Sequence, residues 1–257
     1  MAFIARSLFI SFLFVGVTNA QQCDINFNYG VIIDPAHLRI INQGQTYVQI
    51  NGQHQLFVLG REISLNSEQQ SQLSEYTTGI RSQVPAIVSI AIEGVELGLK
   101  AVNKVISGLT GENSASHQQF QEKFDEMKSR LQARFNHSDE SYYIAPQDFD
   151  DFDEIFAGEF EKEIETIVTD SVGSILIAVG EAMTHKEEQS TEQRVETFDQ
   201  RIETMGNDIK LDISNQANAL ENKADIICAN LLKLDDIENK LQLEIPALAN
   251  FNLIETN

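Results

Sequence analysis

The sequence predicts an α+β chain, with a small N-terminal antiparallel β-meander packed on a bundle of long, partly coiled-coil-like α-helices. Between residues 21 and 65, apolar and polar side chains alternate, which is typical of half-buried strands. Over residues 66–245 the apolar period changes to three and four, which is typical of amphipathic helices. The 42% of hydrophobic residues argues against wholesale disorder. Residues 246–257 are predicted to form a C-terminal tail.

The first 20 residues have the composition of a cleavable secretion signal. A single basic residue, Arg6, precedes an apolar segment over residues 8–17, and small or polar residues follow. The apolar segment is shorter than the roughly 20 residues that a membrane span needs, and no later segment supplies one. The residues before Cys23 lack a lipoprotein pattern. We therefore expect a soluble, exported mature chain that begins near Gln21.

The chain is strongly acidic, with a formal net charge of −21 from 18 Lys+Arg against 39 Asp+Glu. Loss of the leader removes Arg6 and no acid, so the mature chain carries −22. Such a surface repels nucleic acid phosphates and anionic lipid head groups. Partners are expected to be neutral, basic or cationic.

Three to five strands are predicted before residue 66. The first extends over residues 24–33, where the odd positions are apolar: Ile25, Phe27, Tyr29, Val31 and Ile33. Asp34-Pro35 ends it, and "HLRII" forms the second strand. Turns at Gln43-Gly44 and Asn51-Gly52 then precede "TYVQI" and "QLFVLG".

Three helical segments are predicted between Asn66-Ser67 and Glu140. Pro85 is expected to break or kink the first near Gln83, because proline removes a donor and clashes with the preceding turn. A strongly apolar core helix then extends over residues 85–109. The next helix begins near residue 114, and "ESYYIAP" after it is predicted to be an extended link.

The acidic segment "APQDFDDFDEIF" begins a further helix predicted over residues 150–183. On a helical wheel, Phe149, Phe152, Phe156 and Phe160 form one apolar stripe, and the acids Asp148, Asp150, Asp151 and Glu154 lie away from it. Only Asp153 falls inside the stripe. We interpret the acids as a helix start, where they complement the helix dipole. A calcium site and a carboxylate-based active site are the alternatives.

The last helical region, over residues 190–241, has a coiled-coil seam. Its apolar residues are spaced by three and four, with one stutter: Val195, Phe198, Ile202, Met205, Ile209, Ile213, Ala217, Leu220, Ala224, Ile227, Leu231 and Leu234. An unbroken helix of this length would be about 78 Å long. A break or bend at Gly206-Asn207 is therefore favoured over a helix that protrudes.

Four glycines lie within the two apolar helices: Gly94 and Gly98 in the first, Gly173 and Gly180 in the second. Small residues let helix backbones approach closely, so we predict a tight crossing of these helices. The alternative is a ligand that approaches the bare backbone.

The two cysteines that remain after processing, Cys23 and Cys228, are predicted to form a disulfide, since an even count in an oxidising compartment usually means a bond. The alternative is two buried thiols.

No short catalytic, cofactor or metal motif occurs in the sequence. The five histidines show no metal-ligand spacing, and there is no nucleophile elbow, phosphate loop or dinucleotide fingerprint. The sequence therefore assigns no catalytic, metal or cofactor residue and favours a protein that is not an enzyme.

Several long segments carry a family resemblance: "CDINFNYGVIIDPAHLRI", "GQTYVQI", "VPAIVSIAIEGVELGLKAVNKVISGLTGENS", "RFNHSD" and "YYIAPQDFDDFDEIFAGEFE". They resemble the YggN-like family of exported gamma-proteobacterial proteins, grouped by a domain of unknown function. The resemblance implies a periplasmic location and no particular activity.

The leading functional hypothesis is a non-enzymatic interaction or structural protein of the cell envelope. Its seam after Val195 could pair with a second copy or with another envelope protein. The second hypothesis is a carrier of a small ligand or lipid, held in an apolar cavity between the helices at 85–109 and 150–183. The third is an enzyme or calcium-binding protein that uses Asp148 to Glu154.

Overall fold

The computed structural model describes residues 25–110, 115–138, 140–146 and 191–256, together with isolated helical positions at 162, 165, 166, 169 and 180. It confirms the predicted α+β class. The strands are β1 (Ile25–Phe27), β2 (Gly30–Ile33), β3 (His37–Asn42), β4 (Gln45–Asn51), β5 (Gln55–Val58), β6 (Arg61–Ile63), β7 (Asn136–Ser138), β8 (Ser141–Ile144) and β9 (Ile254–Thr256). The helices are α1 (Ser67–Thr110), α2 (Ala115–Phe135) and α3 (Thr191–Glu244), and a 3₁₀ turn covers Pro246–Leu248.

Seven strands form one antiparallel sheet in the order β6-β5-β4-β3-β2-β8-β7. Its buried face carries the residues that the period of two predicted, among them Val31, Ile33, Leu38, Ile40, Val48, Ile50, Leu56 and Val58. The β3–β4 and β5–β6 turns each place two consecutive residues at positive φ, which matches the right-handed twist of the flanking strands. These helices and strands share one core, because residues of α1 and α3 belong to the same buried cluster as the sheet.

The predicted first strand over residues 24–33 is two strands in two different sheets. β1 pairs with β9 at the C-terminus, with Ile25 opposite Thr256, whereas β2 pairs with β3 and β8. The chain changes sheet at Asn28, whose backbone N–H donates to Leu253 O at 2.9 Å. An alternating pattern identifies the covered face of a strand but not its partner, so the sequence did not reveal this change.

The predicted extended link "ESYYIAP" contains a strand of the main sheet. β8 lies between β2 and β7, and Tyr143 is opposite Ile32. The segment therefore contributes backbone hydrogen bonds to the sheet, and Ile144 and Ala145 are buried.

A break or kink was predicted near Gln83; the break is wrong, since α1 is one helix from Ser67 to Thr110, and the kink stays a prediction. Proline removes one backbone hydrogen bond, but Val84 and Val88 on either side are buried in the core of the sheet and helices. We infer that this packing outweighs the loss of one bond.

A break or bend was favoured at Gly206-Asn207; the break is also wrong, since α3 is continuous over 54 residues, and the bend stays a prediction. At 1.5 Å per residue it is about 81 Å long. An interior glycine costs only about 1 kcal/mol of helix stability, so it need not end a helix.

The two long helices α1 and α3 pair antiparallel over most of their length. Contacts extend from Gln72 with Glu244, through Gly79 with Leu234, to the ion pair of Lys104 with Asp212. α2 packs against the far part of α1, where Leu99, Ile106, Phe120 and Met127 form a separate buried cluster. Within the ranges described, no helix combines the length and apolarity needed to cross a bilayer.

Candidate functional site: a polar groove and a buried carboxylate

A groove of about 830 Å³ lies between the first half of α1 and the last part of α3. Most of its lining side chains are polar. The full lining comprises His54, Ser67, Gln70, Ser71, Ser74, Glu75, Thr78, Gly79, Ser82, Gln83, Asn230, Lys233, Leu234 and Ile237. His54 comes from the β4–β5 turn and the others from the two helices. The groove is therefore walled by three separate segments of the chain.

The start of α1 positions one wall of the groove. Asn66 Oδ1 accepts from the backbone N–H groups of Glu68 and Gln69, each at 2.9 Å, and Gln69 Oε1 accepts from Asn66 N at 3.0 Å. This reciprocal cap satisfies free amides of the first turn. The predicted helix start at Asn66-Ser67 is thereby confirmed.

The floor of the groove is a close approach of α1 and α3 at Gly79. A Cβ added at Gly79 would lie 2.2 Å from Leu234 Cδ2, and Leu234 is only 5% exposed. Only a residue without a side chain allows the two helices to come so near. The sequence analysis did not select Gly79.

Amide side chains connect the walls of the groove. Gln53 links the β4–β5 turn to α1, because it accepts from Ser74 Oγ at 3.2 Å and donates to Thr78 Oγ1 at 3.5 Å. Gln83 is 8% exposed; its Nε2 donates to Ser82 Oγ at 3.3 Å, and its Oε1 accepts from Asn230 at 3.5 Å. These contacts fix the two ends of the polar wall.

A buried carboxylate, Glu238, lies on the opposite side of the same helix pair. Its Oε1 accepts from Tyr76 Oη at 3.0 Å and from Leu253 N at 2.8 Å, and its Oε2 accepts from Ile254 N at 2.9 Å. Glu238 therefore joins α1, α3 and the start of β9. Asp235, one turn earlier, accepts from Thr256 Oγ1 at 3.1 Å and holds the end of the same strand.

Burial raises the pKa of Glu238 to about 7, and the negative charge of Asp235 raises it further. The three hydrogen bonds to the carboxylate act in the opposite direction and lower this pKa. Burial also raises the pKa of Tyr76 well above its usual value, and the charge of Glu238 adds to this effect. Tyr76 therefore stays a neutral donor. A cavity of about 20 Å³ beside this pair has room for about one water molecule.

The geometry around Glu238 indicates a structural carboxylate. All three of its partners are protein groups, and two of them are backbone amides of the C-terminal tail. Among the described residues no group of three His, Cys, Asp or Glu side chains is arranged to hold a metal ion. General acid–base work needs an acid within reach of a substrate, and the adjoining cavity holds little more than one water.

A second polar cluster surrounds Asp34 in the β2–β3 turn. Burial opposes ionisation of Asp34, but hydrogen bonds from Ala36 N and from the backbone and ring of His37 outweigh it and lower the pKa. Arg39 donates to the carboxylate at 3.2 Å, and Arg81 of α1 donates to Asp34 O at 2.6 Å. The cluster fixes the turn to α1.

The acids from Asp148 to Glu154, including Asp153, lie outside the described residues. So does the helix predicted over residues 150–183, and with it the apolar cavity predicted beside that helix. The helix start, the calcium site, the carboxylate active site and the cavity all stay predictions.

The packing role predicted for the four glycines is not found among the described residues. Gly94, Gly98 and Gly180 are exposed, and a Cβ at any of them would meet no described atom within 4 Å. Gly173 lies outside the described part of the chain. Among the described glycines of the helices, close approaches occur at Gly79 and at Gly108, where a Cβ would lie 2.1 Å from Met205 Sδ. The crossing with residues 150–183 stays a prediction.

Cys228 is partly buried on α3 and is not a free thiol. Cys23 lies outside the described residues, so the pairing of the two cysteines stays a prediction.

A family model described as "Protein of unknown function (DUF2884)" matches residues 23–254, which is most of the chain. No curated protein and no solved structure matches the sequence.

Proposed function

This chain belongs to the DUF2884 family of proteins of unknown function, and from that premise we propose that it is a non-enzymatic interaction or structural protein of the cell envelope. We further propose that it is exported to the periplasm and belongs to the YggN-like, gamma-proteobacterial branch of such proteins. The leader-like residues 1–20 and the quoted segments of the sequence support the location and the branch.

The antiparallel pair of α1 and α3 is the observation that carries the proposal. Near the sheet, the pair belongs to the main core. Farther along it is joined by ion pairs: Lys223 with Glu93 at 2.5 Å, Lys100 with Asp212 at 3.2 Å, and Lys104 with Asp212. The amines of Lys104 and Lys100 and the amide of Gln216 lower the pKa of Asp212 to about 2.

The helix pair also presents apolar side chains that a partner could cover. Val105 on α1 is 40% exposed, and Leu211 and Ile226 on α3 are 65% and 63% exposed. Exposed single side chains are common. Val105 and Leu211 lie next to the ion pair of Lys104 with Asp212, beyond the part of the pair that belongs to the main core, which favours this part of the molecule as the contact surface.

Charge restricts the class of partner. The net charge of −21 disfavours nucleic acid and anionic membrane surfaces, and it favours a neutral or basic protein surface or a second copy held by apolar contacts. The helical seam proposed for this role includes Val195, Phe198 and Ile202, about whose side chains the structure gives no description.

Photocrosslinking in the native host tests the proposal. A photoreactive residue at Leu211 or Ile226 should give a defined crosslinked species, and the same residue at Leu59, exposed at the β5–β6 turn, should not. Sedimentation of the purified chain distinguishes a second copy from a different protein. A strict monomer with no species specific to the α3 positions would overturn the proposal.

The other two functional hypotheses gain no specific support. The carboxylate chemistry of Asp148 to Glu154 and the apolar cavity beside residues 150–183 both depend on residues outside the described part of the chain. We therefore do not propose an enzyme, a calcium-binding protein or a lipid carrier.

A further inference from the structure

The C-terminal strap, residues 246–256, is attached to the molecule differently from the strands of the main sheet. It contains the 3₁₀ turn and β9. β9 pairs with β1 in a two-stranded sheet that is separate from the seven-stranded one. The strap can therefore move away without breaking the hydrogen bonds between the strands of the main sheet.

One face of α3 holds this strap with three polar side chains, Asp235, Glu238 and Gln242, which are spaced by three and four. Gln242 Nε2 donates to Phe251 O at 3.1 Å, and Asp235 accepts from Thr256 Oγ1. Glu238 lies between them and accepts from two backbone N–H groups of the strap. The protonation state of this central carboxyl group therefore affects how tightly the strap is held.

The surroundings of Glu238 offer its carboxylate no counter-charge. Within the described ranges, no basic group faces it. From α1 it faces the neutral Tyr76, from its own helix the acid Asp235, and β3, β4 and β5 contribute apolar side chains to the small cavity beside it. The strap carries one ionisable side chain, Glu255, which is exposed. An ionised Glu238 is thus a buried charge without a cation, which is costly.

We propose that Glu238 makes the attachment of the strap pH-dependent: the strap is held closed while Glu238 is protonated and opens more often once Glu238 has lost its proton. A protonated carboxyl group keeps acceptor capacity for the amides of the strap. Leu248, Leu253 and Ile254 are buried, so the closed form dominates at either pH, and ionisation changes the population of a minor open form. This device is independent of the contact surface proposed on α1 and α3, so either proposal can fail without the other.

The direction and size of the effect follow from burial. Burial raises the pKa of Glu238 from 4.5 to about 7 while the strap is closed, and opening returns the side chain to water. The closed form therefore binds the proton more tightly, and this advantage is lost as the pH rises through about 7. The equilibrium constant for opening should rise roughly 100-fold between about pH 4.5 and about pH 8.

Amide hydrogen exchange of the ¹⁵N-labelled mature chain, followed by nuclear magnetic resonance at about pH 4.5 and about pH 8, tests the inference. After correction for the intrinsic chemical rate, the amides of Leu253 and Ile254 should lose roughly 100-fold of their protection between the two pH values. They should also exchange faster than the amides of β3 and β4 at each pH, because the strap opens without the main sheet.

A pair of variants identifies the group that titrates. Glu238→Gln should abolish the change of protection with pH, since its side chain does not ionise. Asp236→Asn, which removes an exposed acid from the same helix, should retain the change. Where Glu238→Gln does not fold by circular dichroism, Asp235→Asn replaces it. Loss of that neighbouring negative charge should move the midpoint of the change to lower pH.

Three results would overturn the inference. The first is protection of the Leu253 and Ile254 amides that does not change with pH, and the second is an undiminished change in Glu238→Gln, or an unmoved midpoint in Asp235→Asn where that variant replaces it. The third is equal exchange of these amides and those of β3 and β4, which would show that the strap leaves only when the whole chain unfolds.

Discussion

Glu238 is a buried residue whose ionisation is linked to folding. Its carboxylate is 4% exposed and bonds the tail through Leu253 and Ile254. Burial raises its pKa from 4.5 to about 7 in the folded chain. The folded state therefore binds this proton more tightly than the unfolded state. The stabilisation is fully present below pH 4.5 and is lost as the pH rises through about 7.

We predict that Glu238→Gln, whose side chain does not titrate, removes this component of the pH dependence. Relative to the variant, the unaltered chain should lose about 3 kcal/mol of unfolding free energy between pH 4.5 and pH 8. Urea unfolding at several pH values measures the difference. Asp236→Asn, an exposed acid on the same helix, serves as the control. Parallel curves for Glu238→Gln and the unaltered chain would contradict the prediction.

The sequence contained a signal for Glu238 that the seam analysis did not follow. Leu231 and Leu234 continue at the same spacing to Glu238 and Leu241, so an acid occupies a core position of the seam. An acid at such a position needs buried donors. Two of its three donors are the backbone amides of Leu253 and Ile254, which follow a chain reversal, and no periodicity of side chains indicates them.

At the scale of elements, the crossing of α1 and α3 depends on Gly79. We predict that Gly79→Ala destabilises the fold by about 1–3 kcal/mol, because the added methyl must displace the buried Leu234. Gly94→Ala, in the same helix but exposed, should stabilise it by about 0.5–1 kcal/mol, as alanine is the better helix former. Chemical unfolding measures both changes. Destabilisation by Gly94→Ala would instead support the predicted crossing with residues 150–183.

Most elements could be predicted from the sequence, but their continuity and their partners could not. The period of two identified β3, β4 and β5, and the period of three and four identified α1, α2 and α3. Local rules wrongly predicted helix breaks at Pro85 and Gly206, because a single unfavourable residue costs less than long helix pairing contributes. β8 was missed as a strand because its identity depends on the edge of β2, which is distant in sequence.

At the scale of the whole molecule, the two ends of the described chain lie together. β1 pairs with β9, so Ile25 is opposite Thr256, and Thr256 in turn contacts Asp235 of α3. Ile25 and Ile227 both pack against the main core. β9 runs in the opposite direction to α3, because Ile254 contacts Glu238 whereas Thr256, farther along β9, contacts the earlier residue Asp235. β1 runs beside β9 in the opposite direction, so the N-terminal end of β1, at Ile25, lies beside Thr256 and near Asp235 of α3.

This arrangement favours the predicted disulfide of Cys23 with Cys228. Two residues in an extended conformation would span about 7 Å, and Cys228 lies seven helical residues, about 10 Å, before Asp235. A disulfide bridges Cα atoms about 4.4–6.8 Å apart, so the predicted bond requires that the chain extend from Ile25 back along α3 toward Cys228. Closing so long a loop would restrict the unfolded chain by about 5 kcal/mol in the entropic description.

We predict that the secreted chain carries no alkylatable thiol before reduction and two after it. Mass spectrometry of the alkylated protein measures this, and two alkylated thiols without reduction would refute the bond. The Cys23→Ser and Cys228→Ser single variants should each unfold at a lower urea concentration than the oxidised chain. The double variant should match the single variants, because all three lack the same loop closure. An oxidised chain no more stable than the double variant would show that the two ends are held by β1, β9 and Glu238 alone.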